Sequence, residues 1–123
     1  RRQRQMCIRD RVGKAANIYQ APAAIVVCAN KTKAWKRPFD GKITTDIDAS
    51  ILTDHMMLEA TELGLGSVWI CYFNPDILKE ELNLPENLEP VNILALGYSD
   101  ELDASAERHK DMRIGMDELV SYL

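Results

Sequence analysis

The stretch "DIDASILTDHMMLEATELGLGSVWICYF", residues 46–73, decides the fold because a long helical pattern runs directly into an apolar strand pattern. Its first part, 46–63, has helical periodicity, with Asp46 or Asp48 as the predicted N-cap. Gly64 is suited to end the helix in a left-handed conformation. The remainder, "SVWICYF", is rich in β-branched and aromatic residues and predicts a strand.

The predicted helix carries two apolar stripes on nearly opposite sides when residues are placed at about 100° per position. One stripe consists of Ile47, Ile51 and Leu58. The other consists of Ala49, Leu52, Met56, Ala60 and Leu63. A helix that is apolar on two sides is covered on both. One side can pack on a sheet, and the other needs a second layer or a second subunit.

Two further apolar runs predict buried strands, "AAIVVCA" at 23–29 and "PVNILALGY" at 90–98. Between the last two strands, Asn74 is a suitable N-cap and Pro75 a suitable first residue for a second helix. Three strands with helices between them predict a layered α+β or α/β domain. The residues alone do not decide between these two classes.

The remaining segments are less regular. Residues 30–42 predict a basic surface loop, and the polar residues 99–111 predict a mobile loop. The last nine residues, "GMDELVSYL", predict a terminal amphipathic helix because apolar residues recur at helical spacing, namely Met116, Leu119, Val120 and Leu123.

Charge is distributed unevenly along the chain. The 123 residues carry a net charge of −4, yet residues 1–11 contain five arginines and one aspartate. The other 112 residues hold 10 basic and 18 acidic side chains, a net charge of −8. A body this acidic repels phosphate backbones at long range, so we expect no nucleic-acid partner.

The cysteines and histidines indicate neither disulfides nor a metal site. Cys7, Cys28 and Cys71 are odd in number and scattered, which favours a reducing compartment. They show no metal-ligand spacing with His55 or His109. The longest apolar run is too short to span a bilayer. We therefore expect a soluble cytoplasmic protein without a membrane partner.

The order of motifs resembles the nitroreductase-like flavoprotein family. The matching passages are "DASI" at the start of the long helix, followed by "GLGSVWI", "LNLP" and "LALGY". The likeness extends from about Tyr19 to the end of the chain. The resemblance implies a fragment of a nitroreductase-like α+β fold, with a central sheet and a long dimer-interface helix. It also implies a homodimer that binds FMN and carries electrons from NADH or NADPH to nitro compounds, quinones or related small-molecule acceptors by a ping-pong mechanism.

The resemblance also implies a set of cofactor-binding positions. The strand end places backbone groups near N5 of the flavin, two residues shape the approach, and a late basic pair meets the phosphate. The strand end consists of Ile70, Cys71 and Tyr72, and the residues that shape the approach are Gly66 and Ser67. The late basic pair is Lys110 and Arg113. No catalytic side chain is assigned, because FMN carries the redox chemistry. Without the resemblance, the residues favour a different interpretation: Lys110 and Arg113 are a solvated surface pair, and Cys71 is an unreactive thiol that packs in the strand. His55 and Glu59 predict an exposed or interface ion pair.

The chain departs from the family pattern at its N-terminal side. An arginine-rich phosphate-binding segment and a stretch with a flavin-contacting asparagine are both missing. We therefore interpret residues 1–11 as a non-native or disordered basic leader, and residues 12–123 as the C-terminal portion of a nitroreductase-like domain. The alternative is a flavin-less dimerisation or interaction remnant of the same fold. A nucleic-acid binder that uses the basic arm ranks last.

Overall fold

The computed structural model describes residues 11–99, 105 and 107–122. Residues 11–15 are helical. The elements that follow are β1 (Ala23–Asn30), α1 (Thr45–Glu62), β2 (Gly66–Ile70), α2 (Pro75–Leu82), β3 (Leu88–Gly97), α3 (Arg108–Met112) and α4 (Met116–Leu119). The predicted alternation of strands and helices over residues 23–97 is confirmed.

The three strands form one antiparallel sheet in the order β1-β3-β2. Ile93 at the middle of β3 pairs with Val26 on one side and with Ile70 on the other. The chain thus places its last strand between the first two. An antiparallel sheet with helices on its faces confirms the predicted α+β class.

The two faces of the sheet are covered by different elements because side chains alternate along a strand. Ile93 and Ala95 face one side, where they pack with Val12 from the first helical residues and with Leu78 of α2. Asn92 and its neighbours on the other face lie under α1, which contacts all three strands. The core therefore has two layers, one on each side of β3.

Helix α1 packs on the sheet with one side only. Ala49, Thr53 and Ala60 are buried at intervals of four and seven residues. The opposite stripe of Ile47, Ile51 and Leu58 is about half exposed or more. The prediction that only one apolar side packs on a sheet of this chain agrees with these exposures.

The predicted buried stripe was too wide. Leu52 and Leu63 are 53% and 64% exposed. Both lie at the edge of the buried face, since they are rotated away from the line through Ala49 and Ala60. The small side chains on that line let the helix lie close to the sheet, and the larger leucines remain at its flank.

The two ends of α1 differ from each other in how well they were predicted. The N-cap is Thr44, so the prediction of Asp46 or Asp48 is wrong. Both aspartates lie in the first turn, where negative charge favours the helix dipole. The C-terminal prediction is confirmed: Gly64 has a φ of +70°, and its N–H donates to the carbonyl of Thr61 at 3.0 Å.

Helix α2 begins as predicted. The side chain of Asn74 accepts hydrogen bonds from the N–H groups of Asp76 at 3.0 Å and Ile77 at 3.2 Å. Pro75 is the first helical residue. The apolar side of the helix enters the core, where Leu78 is fully buried.

The C-terminal segments differ from the prediction in two ways. The loop expected at 99–111 contains α3 among its described residues. The expected terminal helix is a single turn, α4, in which Met116 and Leu119 are exposed. One turn without a buried side has little to stabilise it. The leader expected at 1–11 lies outside the described residues except for Arg11, which is helical. Of the helices in the described ranges, none is long and apolar enough to cross a membrane.

Candidate cofactor site

The residues predicted to meet the flavin lie at two different ends of β2. Gly66 and Ser67 open the strand, whereas Ile70 closes it and Cys71 and Tyr72 follow. The ends are four residues apart, which is about 13 Å along an extended strand. The structure therefore does not bring the glycine-serine pair together with the strand end.

The carboxyl end of β2 leaves the sheet earlier than predicted. The ladder with β3 ends at the pair of Ile70 and Ile93, so the strand does not continue to residue 73. Beyond the ladder, the N–H of Asn74 donates to the carbonyl of Ala15 at 2.9 Å, a tertiary contact just before α2 starts.

Two peptide groups consequently lie outside the ladder. Ile70 is anchored in the core at 6% exposure, while Cys71 and Tyr72 are exposed, the latter at 96%. The prediction of Cys71 as a buried packing thiol is wrong, because the strand that was to bury it ends one residue earlier. The backbone N–H groups at these two positions can donate to a ligand.

A cavity of about 440 Å³ adjoins this strand end. It is lined by Ala15, Tyr72, Phe73, Asn74, Pro75 and Asp76. Phe73 packs against the core, and Asn74 is held by its capping bonds. The exposed peptides are therefore fixed on both sides. The sequence indicated this corner only through the Asn-Pro cap signal, and the contribution of Ala15 had no signal in sequence.

Gly66 and Ser67 line a different cavity at the other end of the strand. A Cβ atom at Gly66 would lie 3.5 Å from the carbonyl oxygen of Gly97, which is an ordinary contact. The steric need for glycine at position 66 is thus weak.

The predicted phosphate-binding pair lies apart from the sheet. Lys110 belongs to α3 and Arg113 follows it, and both are exposed. Lys110 forms an ion pair with Glu107, and Arg113 forms none with the other described residues. Helix α3 contacts no other element of the described chain. The structure therefore does not place this pair beside β2.

The remaining histidine, carboxylate and cysteine candidates form no reactive or metal-binding arrangement among the described residues. His55 and Glu59 are exposed, and the predicted ion pair between them is not formed within the described residues. Cys28 and Cys71 form no disulfide. Burial raises the pKa of the Cys28 thiol, and the positive charge of Lys79 opposes this by less. The described part of the chain contains no cluster of three potential metal ligands among its His, Cys, Asp and Glu side chains.

Comparison with known proteins identifies the family. The model of the nitroreductase family matches residues 1–98, which include the basic arm. The chain belongs to the nitroreductase family. A nitroreductase family protein from Clostridium difficile 630 is 63% identical and superposes with a TM-score of 0.87, covering 92% of this chain and 66% of that one.

The names of two other relatives include a cofactor. An FMN-dependent nitroreductase from Clostridium difficile R20291 is 26% identical with a TM-score of 0.65, covering 93% of this chain and 70% of that one. An Archaeoglobus fulgidus protein, provisionally named NADH dehydrogenase/NAD(P)H nitroreductase, is 40% identical over 88 residues, 68% of this chain and 48% of its own length. The chain thus spans about half the length of this curated relative.

Proposed function

We propose that this chain is part of an FMN-dependent oxidoreductase that uses NADH or NADPH to reduce nitro compounds, quinones or related acceptors by a ping-pong mechanism. Membership of the nitroreductase family supports an oxidoreductase. The FMN-dependent relative and the NAD(P)H-linked relative support the choice of cofactors. The observation in the molecule itself that carries the proposal is the pair of exposed peptides at Cys71 and Tyr72.

The groups at this strand end fit a flavin. A flavin ring accepts hydrogen bonds at N5 and at its carbonyl oxygens, and the peptides of Cys71 and Tyr72 lie beyond the ladder on a corner fixed by Ile70 and Asn74. When bound, FMN supplies the transfer of reducing equivalents from the nicotinamide to the acceptor. The chain's own part is to hold the ring and to place donors at its polar edge.

We assign the phosphate of FMN to Lys110 and Arg113 on the family resemblance, since the structure itself does not place this pair beside β2. A guanidinium donates two parallel hydrogen bonds to a phosphate, so Arg113 is the stronger of the two. Lys110 shares its charge with Glu107. Residues 12–123 carry a net charge of −8, so a local cation is needed to hold an anion against the field of the body.

The exposed stripe of Ile47, Ile51 and Leu58 supports a homodimer as part of the proposal. These side chains lie opposite the buried side of α1 and are 47–63% exposed. Contiguous exposed apolar surface marks interaction sites. The same stripe supports the second candidate function, a flavin-less dimerisation remnant in a cytoplasmic protein.

A proline substitution tests the peptide donor directly. Tyr72→Pro removes the N–H, whereas Tyr72→Ala keeps it and removes the exposed ring. We expect Tyr72→Ala to retain FMN after desalting and Tyr72→Pro to bind it at least tenfold more weakly, a difference of about 1.4 kcal/mol. FMN fluorescence titration measures both. Equal affinities of the two variants would refute the backbone assignment.

The phosphate assignment needs its own variant. Arg113→Ala should weaken FMN binding about tenfold, since a hydrogen bond between charged groups contributes about 1.5–3 kcal/mol. Arg108→Ala, a matched exposed arginine in α3, should leave the affinity unchanged. NAD(P)H oxidation with a quinone acceptor is followed in parallel. A chain that sediments as a dimer but retains no FMN at micromolar concentration would favour the flavin-less remnant.

A further inference from the structure

A small hairpin, which we name the basic hairpin, occupies residues 35–44 between β1 and α1. Its two arms meet in an antiparallel bridge between Lys36 and Ile43. On the tip side of that bridge, the N–H of Arg37 donates to the carbonyl of Lys42 at 2.9 Å. The segment that the sequence predicts as a basic surface loop therefore contains paired, extended backbone.

The tip of the basic hairpin is held by its own groups. Oδ1 of Asp40 accepts the Nε–H of Arg37 at 2.7 Å and the backbone N–H of Lys42 at 3.1 Å. The N–H of Gly41 donates to the carbonyl of Arg37 at 2.9 Å, and its φ of +73° favours glycine. These bonds fix the tip in advance, so a partner would not have to order it on binding.

The base of the basic hairpin is bonded to the start of α1. The N–H of Thr44 donates to the carbonyl of Trp35 at 3.2 Å, which closes the two arms. The hydroxyl of Thr44 lies 3.0 Å from a carboxylate oxygen of Asp48 in the first turn of α1. The hairpin is thus held at its base as well as at its tip.

Two aromatic side chains of the basic hairpin face solvent. Phe39 at the tip is 97% exposed, and Trp35 at the base is 59% exposed. Because hydrogen bonds fix the backbone on either side of Phe39, its ring is held away from the core. Exposed aromatic residues of this kind are enriched at protein interfaces, where they supply much of the binding energy.

The charge of this region is opposite to that of the body. Residues 30–42 hold five basic side chains and one acidic one, whereas the other residues from 12 onward hold five basic and 17 acidic ones, a net charge of −12. Lys36 and Lys42 are exposed and form no ion pair with another described residue. Lys36 reaches the tip, since a Cβ atom at Gly41 would lie 3.2 Å from its Cε atom. An apolar centre with a charged rim is the usual composition of a docking surface.

The surroundings of the hairpin indicate both the charge and the size of a partner. Free lysines favour a partner with negative charge. Asp46 and Asp48 lie in the first turn of α1, directly after the hairpin. A bilayer or a nucleic-acid backbone would meet these carboxylates and the acidic body together with the lysines, and would be repelled by them. A short acidic segment can contact the hairpin alone.

We infer that the basic hairpin docks a short acidic segment of another protein. The carboxylates of the segment lie at Lys36 and Lys42, and an apolar side chain of the segment packs on Phe39 and Trp35. The contact is small and steered by charge, which is typical of transient complexes. It requires neither FMN nor the proposed oxidoreductase activity.

The probe is a blocked hexapeptide in which leucine and phenylalanine are flanked by glutamates on both sides, and its matched control carries glutamines instead. Backbone amide shifts of the full chain are followed by NMR during titration with each peptide. The acidic peptide should shift the amides of Phe39, Asp40 and Gly41 saturably and bind at least about tenfold more tightly than the neutral one. Added salt should weaken it, because exposed charges are screened. Equal affinities of the two peptides, or shifts confined to residues outside 35–44, would overturn the inference.

Single variants separate the apolar and the charged contributions. Phe39→Ser should weaken binding of the acidic peptide about fivefold or more. Tyr122→Ser, at a tyrosine that is 93% exposed outside the hairpin, should leave the affinity unchanged. Lys42→Gln should weaken binding roughly two- to fivefold, whereas Arg108→Gln removes an exposed charge from α3 and should have no effect. If all four variants bind the peptide equally, the hairpin is not the docking surface.

Two further measurements test other occupants of the basic hairpin. Vesicles of equal parts phosphatidylglycerol and phosphatidylcholine are sedimented with the parent chain and with Phe39→Ser, and we expect neither to bind. Binding to these vesicles that is lost in Phe39→Ser would overturn the inference in favour of a membrane surface. Sedimentation equilibrium of the same two chains should give the same oligomeric state. A weaker dimer of Phe39→Ser would show that the hairpin contacts a second copy, and would overturn the inference as well.

Discussion

Replacing Thr53 with valine should destabilise the chain although valine has almost the same shape as threonine. Thr53 is fully buried on α1, and its Oγ1 lies 2.8 Å from the carbonyl oxygen of Ala49 and 2.9 Å from Oδ1 of Asn92 on β3. One hydroxyl proton cannot serve both acceptors. Both contacts form if the hydroxyl donates to Ala49 and accepts from the carboxamide N–H, which a half-turn of the Asn92 amide provides.

The magnitude follows from what valine leaves behind. Asn92 is 1% exposed, and the end of its carboxamide that points away from Thr53, recorded as Nδ2, has no partner among the described residues. Thr53→Val removes the remaining partner of the carboxamide, which costs about 1–3 kcal/mol. Burial of the added methyl group offsets part of this, so we expect a net loss of about 1–2 kcal/mol. The urea midpoint should fall by about 0.5–1 M, for a slope of about 2 kcal/mol per M.

Thr61→Val is the matched control on the same helix. Thr61 Oγ1 donates to the carbonyl of Met57 at 2.9 Å, the same intrahelical bond that Thr53 can make to Ala49, but Thr61 is exposed. We expect this variant to change the free energy of unfolding by less than about 0.5 kcal/mol. The reasoning fails if the two valine variants unfold at the same urea concentration. It also fails if Asn92→Leu added to Thr53→Val destabilises the chain further instead of recovering stability.

Two further predictions concern local structure. Gly64→Ala should lower the free energy of unfolding by about 1 kcal/mol, because φ is +70° at this position. Gly13→Ala, at a helical position with open space around it, should raise it by up to about 1 kcal/mol. Thermal unfolding compares the two variants, and a stabilising Gly64→Ala would contradict the role of Gly64 at the end of the helix. Hydrogen bonds led by that from Arg37 lower the pKa of Asp40, so the pair contributes above the unfolded pKa of about 3.9 and loses its contribution as pH falls through the folded value. An NMR titration of Arg37→Gln should show a raised pKa for Asp40; an unchanged value would refute the pairing.

Signals that act within a few residues could be predicted from the sequence. The end of α1 at Gly64 follows from glycine's freedom at positive φ. The start of α2 follows from the side chain of Asn74 and the ring of Pro75. The N-cap of α1 was missed because several polar residues in a row compete for the same role, and Thr44 holds it without a side-chain bond to the helix backbone.

The candidate site was predicted only in part, because its geometry depends on contacts between residues far apart in the sequence. The apolar pattern of β2 continues through residue 73, and nothing local stops it at Ile70. Beyond the end of the ladder the chain contacts Ala15, far away in sequence, whose carbonyl accepts the N–H of Asn74. Cys71 and Tyr72 lie between the end of the ladder and that contact, and they form the corner on which the proposed function rests.

The sequence by itself determined the family, the α+β class, and the positions of the long helix and its two flanking strands. Periodicity and capping depend on neighbours within about four residues, so they can be read without coordinates. Only the tertiary structure decided the β1-β3-β2 order and the register that pairs Gly66 with Gly97. Strand pairing joins residues far apart in the chain, and the register sets where β2 leaves the ladder, directly before Cys71 and Tyr72.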